Sequence, residues 1–333
     1  MKRWDVRRLL LLPAAALLLT GWCAAAMPET LVPVGSAVGI RLEADGLLVV
    51  GFDEEGTSPA RADGLRKGDI IETVDGQPAE SSQTLQAQVA ASGGAPLDVT
   101  VERDGETRHL TLHPARTAGT YRLGVSVRDS MAGIGTVTYY NPADGSYGAL
   151  GHGVNDLETL RLLPLEDGEI LPASVVEVRR GQRGAPGLLK GAFNTSETLG
   201  TVEANTTHGI FGTSRTALGC GAAVPVADRG QVHTGTASIL SNVRNTDVES
   251  YTVEILRLYP TEDASGRNLL LKITDERLLQ ATGGIVQGMS GSPILQDGKL
   301  IGAVTHVLVN DPTCGYGIFI DNMLETGEAA PAA

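Results

Sequence analysis

Aromatic side chains make up only 4% of this 333-residue chain, so its core must be built mainly from aliphatic residues. Cysteine is scarcer: of three, Cys23 lies in the amino-terminal segment, leaving Cys220 and Cys314 for the rest. Two thiols are too few for a metal cage, and the six histidines have no zinc-ligand spacing. In an exported chain the two could pair or stay free. Basic charge is also short, with 26 Lys and Arg against 39 Asp and Glu and a net charge of −13. Nonspecific nucleic-acid binding needs a basic face and is excluded. Long apolar runs are missing except near the amino terminus. What is plentiful is glycine, 42 residues with 16 prolines, among Val/Thr-rich segments. That mixture predicts short strands and turns and excludes a coiled coil or helical repeat.

The amino terminus reads as a targeting segment. Lys2, Arg3, Arg7 and Arg8 precede an apolar run from Leu9 to Leu19, and small residues follow at 24–26. This is the layout of an export signal, although the weakly polar stretch to Met27 also just reaches the length of a membrane span. Residues 1–27 are therefore expected to be a signal peptide or anchor that places the rest outside the cytoplasm. Trp22 before Cys23 argues against lipoprotein processing.

Two folded parts are expected beyond it. The first, residues 31–114, reads as strands around a small helix and a longer helix over 82–91, with Leu85 and Val89 at i, i+4. Its last two strands alternate apolar and polar residues around Asp104-Gly105, a strong hairpin signal. Residues 115–120 read as a linker. From 121 to 325 the chain is rich in short strands, as in a β-barrel or sandwich. The Gly/Ala/Pro tail, 326–333, is expected to be disordered.

The run L-R-K-G-D-I-I-E-T-V-D-G-Q-P at 65–78 closely resembles PDZ domains of bacterial exported proteases. In that family an apolar-Gly-apolar loop offers backbone N–H groups to a peptide carboxylate while the peptide adds a strand to the sheet edge. Val38, Gly39 and Ile40 match that loop and are the expected peptide-binding residues.

The sharpest chemical signal is Gly288-Met289-Ser290-Gly291-Ser292-Pro293, which resembles the nucleophile turn of chymotrypsin-like serine proteases. A serine in a tight glycine turn can approach a substrate carbonyl, and N–H groups of the turn can hold an oxyanion. Alignment places Ser290, not Ser292, at the nucleophile. A base is needed, and His152 ranks ahead of His306 because glycines flank it and leave its ring accessible. Asp275, Asp156 and Asp311 are the candidates for an acid that orients the imidazole. Each also suits a turn or a helix cap.

Four blocks together carry a wider resemblance. They are Y-R-L-G-V-S-V-R-D-S-M-A-G-I-G-T-V-T (121–138), Y-G-A-L-G-H-G-V-N-D (147–156), G-G-I-V-Q-G-M-S-G-S-P-I-L-Q (283–296) and I-G-A-V-T-H-V-L-V-N-D-P-T (301–313). From about 32 to 324 the chain is similar to the stage IV sporulation protein B (SpoIVB) peptidase family, a PDZ domain joined to a serine protease domain. The resemblance implies His152, Asp275 and Ser290 as the catalytic triad. It also implies an extracytoplasmic signalling protease of the developing spore that cleaves itself and a membrane-bound regulator. That cut frees an intramembrane protease and activates a late sigma factor.

The expectation is thus a mainly β protein, an α+β PDZ domain followed by a chymotrypsin-like β-barrel serine protease domain. Gly288 and Ser290 would supply the oxyanion N–H groups, and no metal or organic cofactor is called for. Expected partners are a peptide or protein substrate and a PDZ ligand peptide, with no nucleic acid. The competing readings are a noncatalytic PDZ scaffold of a membrane complex and an esterase.

Overall fold

The structure, a computed structural model, describes residues 27–53, 58–259 and 266–329. The signal peptide or anchor expected over residues 1–27 lies outside these residues, apart from Met27. No helix among the described residues is long and apolar enough to cross a membrane.

The strand elements are β1 (Ala37–Phe52), β2 (Ile70–Val74), β3 (Leu97–Arg103), β4 (Glu106–Leu112) and β5 (Val125–Tyr140). They continue with β6 (Ser146–Ala149), β7 (Leu165–Arg179), β8 (Ala204–Thr206) and β9 (Gly209–Thr213). Six more form the carboxyl-terminal half: β10 (Gly235–Arg244), β11 (Asp247–Leu258), β12 (Leu269–Ile273), β13 (Pro293–Gln296), β14 (Lys299–Val307) and β15 (Cys314–Phe319). Three helices matter here, α1 (Ser82–Ala91), α2 (Glu276–Thr282) and α3 (Ile320–Ala329).

The amino-terminal half is one large sheet whose main path runs β8-β9-β6-β5-β1-β2-β3-β4. Two 16-residue strands, β1 and β5, run antiparallel through most of it. Their pairing extends from Ala37 with Thr136 to Phe52 with Val125, with register shifts between Glu43 and Leu48 and between Val49 and Gly51. The PDZ unit and the first protease half therefore share strands. The boundary expected at 115–120 is softer than the sequence suggests, because those residues form part of a small hairpin, Ala115–Thr117 with Thr120–Arg122.

The PDZ core collects Leu47, Val49, Ile71, Leu85, Val89 and Val101, among others. Asp104 and Gly105 both take positive φ in the β3–β4 hairpin, as the Asp-Gly signal predicts. The aspartate of the R-K-G-D run turns out to be structural. Asp69 is 1% exposed and accepts two bonds from Arg103, both 2.6 Å, while Arg103 also donates to Gly64 O at 2.8 Å. Removing one charge would strand the other in a dry site. Asp69→Asn should therefore cost about 3 kcal/mol, read as an earlier first transition in urea unfolding. A loss under about 1 kcal/mol would mean that the pair is solvated in solution.

The carboxyl-terminal half closes as a six-stranded barrel, β10-β11-β12-β15-β14-β13. Its core is aliphatic, with Ile239, Val253, Leu271, Ile294 and Val304 fully buried. α3 packs Ile320, Met323 and Leu324 against Phe211 of β9 and Ile318 of β15, bridging the halves. That helix corrects the expected disorder from 326, since it continues to Ala329; residues 330–333 lie outside the described residues. Cys220 is exposed and Cys314 buried, and both are free thiols.

Candidate active site

Ser290 stands in the turn between α2 and β13, with Gly288 at φ +99° and Gly291 at φ +96°. The reason for glycine at 291 is steric. A Cβ there would lie 2.0 Å from Thr136 O and 2.6 Å from Leu150 N. The turn is thus pressed against β5. Thr136 N donates to Ser290 O at 3.0 Å and Thr136 Oγ1 to Gly288 O at 2.8 Å. On the barrel side Gly291 N donates to Val304 O at 2.7 Å. Neither Gly288 N nor Ser290 N finds an acceptor among the described residues. Both amides are therefore available for an anionic oxygen. Ser292 is fully buried and donates to Ser241 Oγ at 3.2 Å, a structural role that leaves Ser290 as the accessible hydroxyl.

The same threonine positions the base. β6 ends at Ala149, and Leu150 N donates to Thr136 O at 3.1 Å. Leu150 and Gly151 both turn through positive φ, and Gly151 lies against the Thr305 methyl group. His152 follows at once. Its Nδ1 lies 2.8 Å from Gly153 O. Because a carbonyl only accepts, Nδ1 carries the proton and Nε2 is the bare, basic nitrogen. Burial is the main cause that holds this imidazole below the usual histidine range; the Gly153 carbonyl opposes it.

Two further residues that sequence reasoning did not assign hold the histidine's strand exit. Asn205 on β8 accepts from Val154 N at 2.8 Å and donates to Val154 O and Leu163 O, both at 2.9 Å. Asn155 Nδ2 adds a bond to Gly153 O at 3.1 Å. Nothing in the sequence pattern marked Asn205, since its contacts span 42 and 51 residues. Thr136 lies inside the 121–138 block but carries no chemical signal of its own.

The hydroxyl of Ser290 donates to Thr305 O at 2.7 Å rather than to His152. The next residue, His306, stacks near His152 with ring centroids 5.1 Å apart and planes tilted by 40°. Burial, then the neighbouring His152 and Arg267, push His306 down to about 4, so it is neutral at ordinary pH. The structure therefore brings Ser290, His152 and His306 together around Thr136 and Thr305.

Asp275 is not brought there. It is the N-cap of α2, accepting from Arg277 N at 2.9 Å and Thr252 N at 3.3 Å, and it is ion-paired to the Arg277 guanidinium at 2.9 Å. Those bonds, Arg277's first among them, hold its carboxyl below the usual range. The alternatives fare no better. Asp156 is fully buried, caps a turn through Thr159 and Glu158, and faces Arg128 at 2.7 Å. Asp311 is spent on Thr313 and Cys314. Among the described residues, the orienting partner of His152 is the Gly153 carbonyl.

The expected peptide-binding loop is also placed elsewhere. Val38, Gly39 and Ile40 lie in mid-strand, paired with Gly135, Ile134 and Gly133 on one side and with Pro172, Leu171 and Ile170 on the other. With both edges taken, they cannot receive a peptide. The groove of the PDZ unit instead lies between α1 and the start of β5. It is a cavity of about 420 Å3 lined by Leu85, Val89, Tyr121, Leu123, Val125 and Val127, among others. A second apolar-Gly-apolar triplet, Leu123-Gly124-Val125, sits at its end. Its local pattern is the same as that of residues 38–40.

Comparison with known proteins agrees with this architecture. The SpoIVB peptidase S55 family matches residues 119–324 and a PDZ domain matches residues 37–113. The chain belongs to the SpoIVB peptidase S55 family and carries an amino-terminal PDZ domain. Curated relatives match over short stretches. The metalloprotease MmpA of Caulobacter vibrioides is 44% identical over 57 residues, 17% of this chain and 14% of that one. A probable periplasmic DegP-like serine endoprotease of Halomonas elongata is 38% identical over 68 residues, 20% of this chain and 14% of that one. The chain thus spans about a seventh of each. Among solved structures, the PDZ domain of an SdrC-like protein from Listeria monocytogenes is 23% identical, with a TM-score of 0.23; the match covers 25% of this chain and 87% of that one. A protease from M. tuberculosis in its active form is 14% identical, with a TM-score of 0.35, covering 62% and 76%.

Proposed function

We propose that this chain is a serine endopeptidase in which Ser290 is the nucleophile and His152 the base. The observation that carries the reading is the Thr136 clasp. One residue binds the nucleophile turn through Ser290 O and Gly288 O and the histidine turn through Leu150 N. It holds them beside two unpaired amides.

Ser290 Oγ attacks the scissile carbonyl carbon as its proton passes to His152 Nε2. The oxyanion forms toward Gly288 N and Ser290 N. His152 then gives that proton to the departing amine, leaving an acyl-serine. Water attacks the ester, losing its proton to His152, which returns it to Ser290 as the acid leaves. The Gly153 carbonyl keeps Nδ1 protonated throughout. In the resting geometry Ser290 is turned toward Thr305 O, so substrate must draw the hydroxyl across to His152 before attack.

A peptidyl phosphonate should label the full chain at Ser290 and leave Ser290→Ala unlabelled. An unlabelled wild type would favour the scaffold reading, which the present hydroxyl direction and the placement of Asp275 support. The pH profile supplies a second test. The base works only when unprotonated, and burial lowers its pKa. The acid limb of kcat/KM should therefore fall below pH 6.5, the ordinary histidine value. A limb clearly above 6.5 would mean that the titrating group is stabilised as a cation, as an acid partner would do.

For the finer role we propose an exported protease of sporulation signalling that cuts itself and a membrane-bound regulator, releasing an intramembrane protease. Family membership, the PDZ unit and the signal-like residues 1–27 support it. Incubating wild type and Ser290→Ala with membranes of the same organism should yield regulator fragments only with the wild type.

A further inference from the structure

β5 links the PDZ groove to the nucleophile. Its first residues, Val125 to Arg128, pair with β1 along one edge only. Among the described residues no strand pairs with the opposite edge until Thr136, which meets Ser290 O and Leu150 N, after which β6 takes over at residues 137–140. At the groove end, Gly124 turns through φ +66°. The carbonyls of Leu123 and Gly124 point into the PDZ unit and accept from Ala60 N and Asp53 N. Their own amides have no acceptor among the described residues. Two consecutive free N–H groups on a bent turn form a seat for an anion. Among the described residues, the Arg122 guanidinium beside it has only Thr120 Oγ1 as a partner and no carboxylate. Asp53 also lines the cavity, at an exposed rim.

We propose that the occupant of this groove is the carboxyl-terminal end of the substrate itself, and that the protein cuts that same chain a fixed distance upstream. The proposal rests on the peptidase reading above and adds the substrate class: polypeptides with an apolar, free carboxyl terminus. The polarity is dictated by geometry. A chain whose terminal carboxylate sits on the Leu123 and Gly124 amides, and whose body pairs with β5, can only run antiparallel to it. Its upstream residues then travel from Val125 toward Thr136, which is where Ser290 is clasped. Strand rise puts those two points about 35 Å apart, so the scissile bond falls about 10–12 residues from the carboxyl terminus. Leu85, Val89, Val125 and Val127 supply apolar contacts for the last side chains. Ser130, Ala132 and Gly133, midway along, are exposed, while Ser82 N at the start of α1 donates to Asp129 Oδ2 at 2.9 Å, a contact the chain must pass.

The test uses the full chain and synthetic 24-residue peptides of mixed interior sequence ending in Ala, Val or Leu, each with a free or amidated carboxyl terminus. Mass spectrometry reads the cut positions. Cuts clustered about 10–12 residues from the terminus are expected, with turnover at least about tenfold lower for the amidated set. Ala90→Trp, at an exposed position lining the groove, should lower turnover of the free-acid set similarly while phosphonate labelling of Ser290 is unchanged. Cuts scattered without regard to the terminus, or equal cleavage of amidated peptides, would overturn the proposal and leave the peptidase reading standing. Failure of phosphonate labelling in the wild type would overturn both.

Discussion

His152→Ala and Ser290→Ala should each lower kcat/KM on a cleaved peptide by at least about 10^4-fold, whereas Asp275→Asn should lower it less than about tenfold. The asymmetry is the informative part. In a Ser-His-Asp triad the acid fixes the tautomer of the imidazole and stabilises its cation, and its loss is nearly as damaging as loss of the base. Here the tautomer is fixed by the Gly153 carbonyl at 2.8 Å, and the Asp275 carboxylate is engaged with Arg277 and Thr252. Asp275→Asn keeps a capping oxygen, so its cost should appear mainly as about 1 kcal/mol of stability through the weakened ion pair. Parallel kcat/KM and urea measurements separate the two. A loss near 10^4-fold in Asp275→Asn would show that the aspartate reaches His152 during turnover and that the geometry described is a resting one.

Gly291→Ala should lower kcat/KM at least about 100-fold, because it disrupts the contact on which the site is built. The new methyl group meets backbone, Thr136 O and Leu150 N, which cannot rotate away. The φ of +96° adds strain for any residue with a Cβ. Relief requires the nucleophile turn to leave β5, which separates Ser290 from the strand that also holds the histidine. A folded protein is still expected, destabilised by about 1–3 kcal/mol. Gly288→Ala would share the backbone strain, at φ +99°, but its Cβ meets the side chains of Ile134 and Leu189 rather than the backbone of β5, so the turn need not leave that strand. A Gly291→Ala variant with wild-type turnover would show that the Thr136 clasp is dispensable.

The Asp104-Gly105 hairpin, the helix over 82–91 and the Ser290 turn were legible because local chemistry decides them: an Asp-Gly turn, an i, i+4 apolar pair, glycines around one serine. Asp69 was legible as part of a motif, but not as a buried ion pair, because its partner Arg103 is 34 residues away. Val38-Gly39-Ile40 misled because an apolar-Gly-apolar triplet suits a carboxylate loop and a central strand alike. Only strand pairing on both edges shows which it is. Leu123-Gly124-Val125 has the same pattern, with one edge of Val125 unpaired among the described residues.

Local sequence sets the class of the molecule: a β-rich, acidic chain with a PDZ-like run, a serine in a glycine turn and a histidine in a glycine-flanked exit. These are short-range properties, set by propensity and by the backbone freedom of a few glycines. Tertiary structure alone decided which groups meet. Long antiparallel strands brought Thr136 to residues 150 and 290, set Asn205 against the loop after His152, and joined the groove at Val125 to the nucleophile. The same packing left Asp275 capping its own helix, where a nearby arginine and two backbone amides satisfy a carboxylate at less entropic cost than a distant imidazole would.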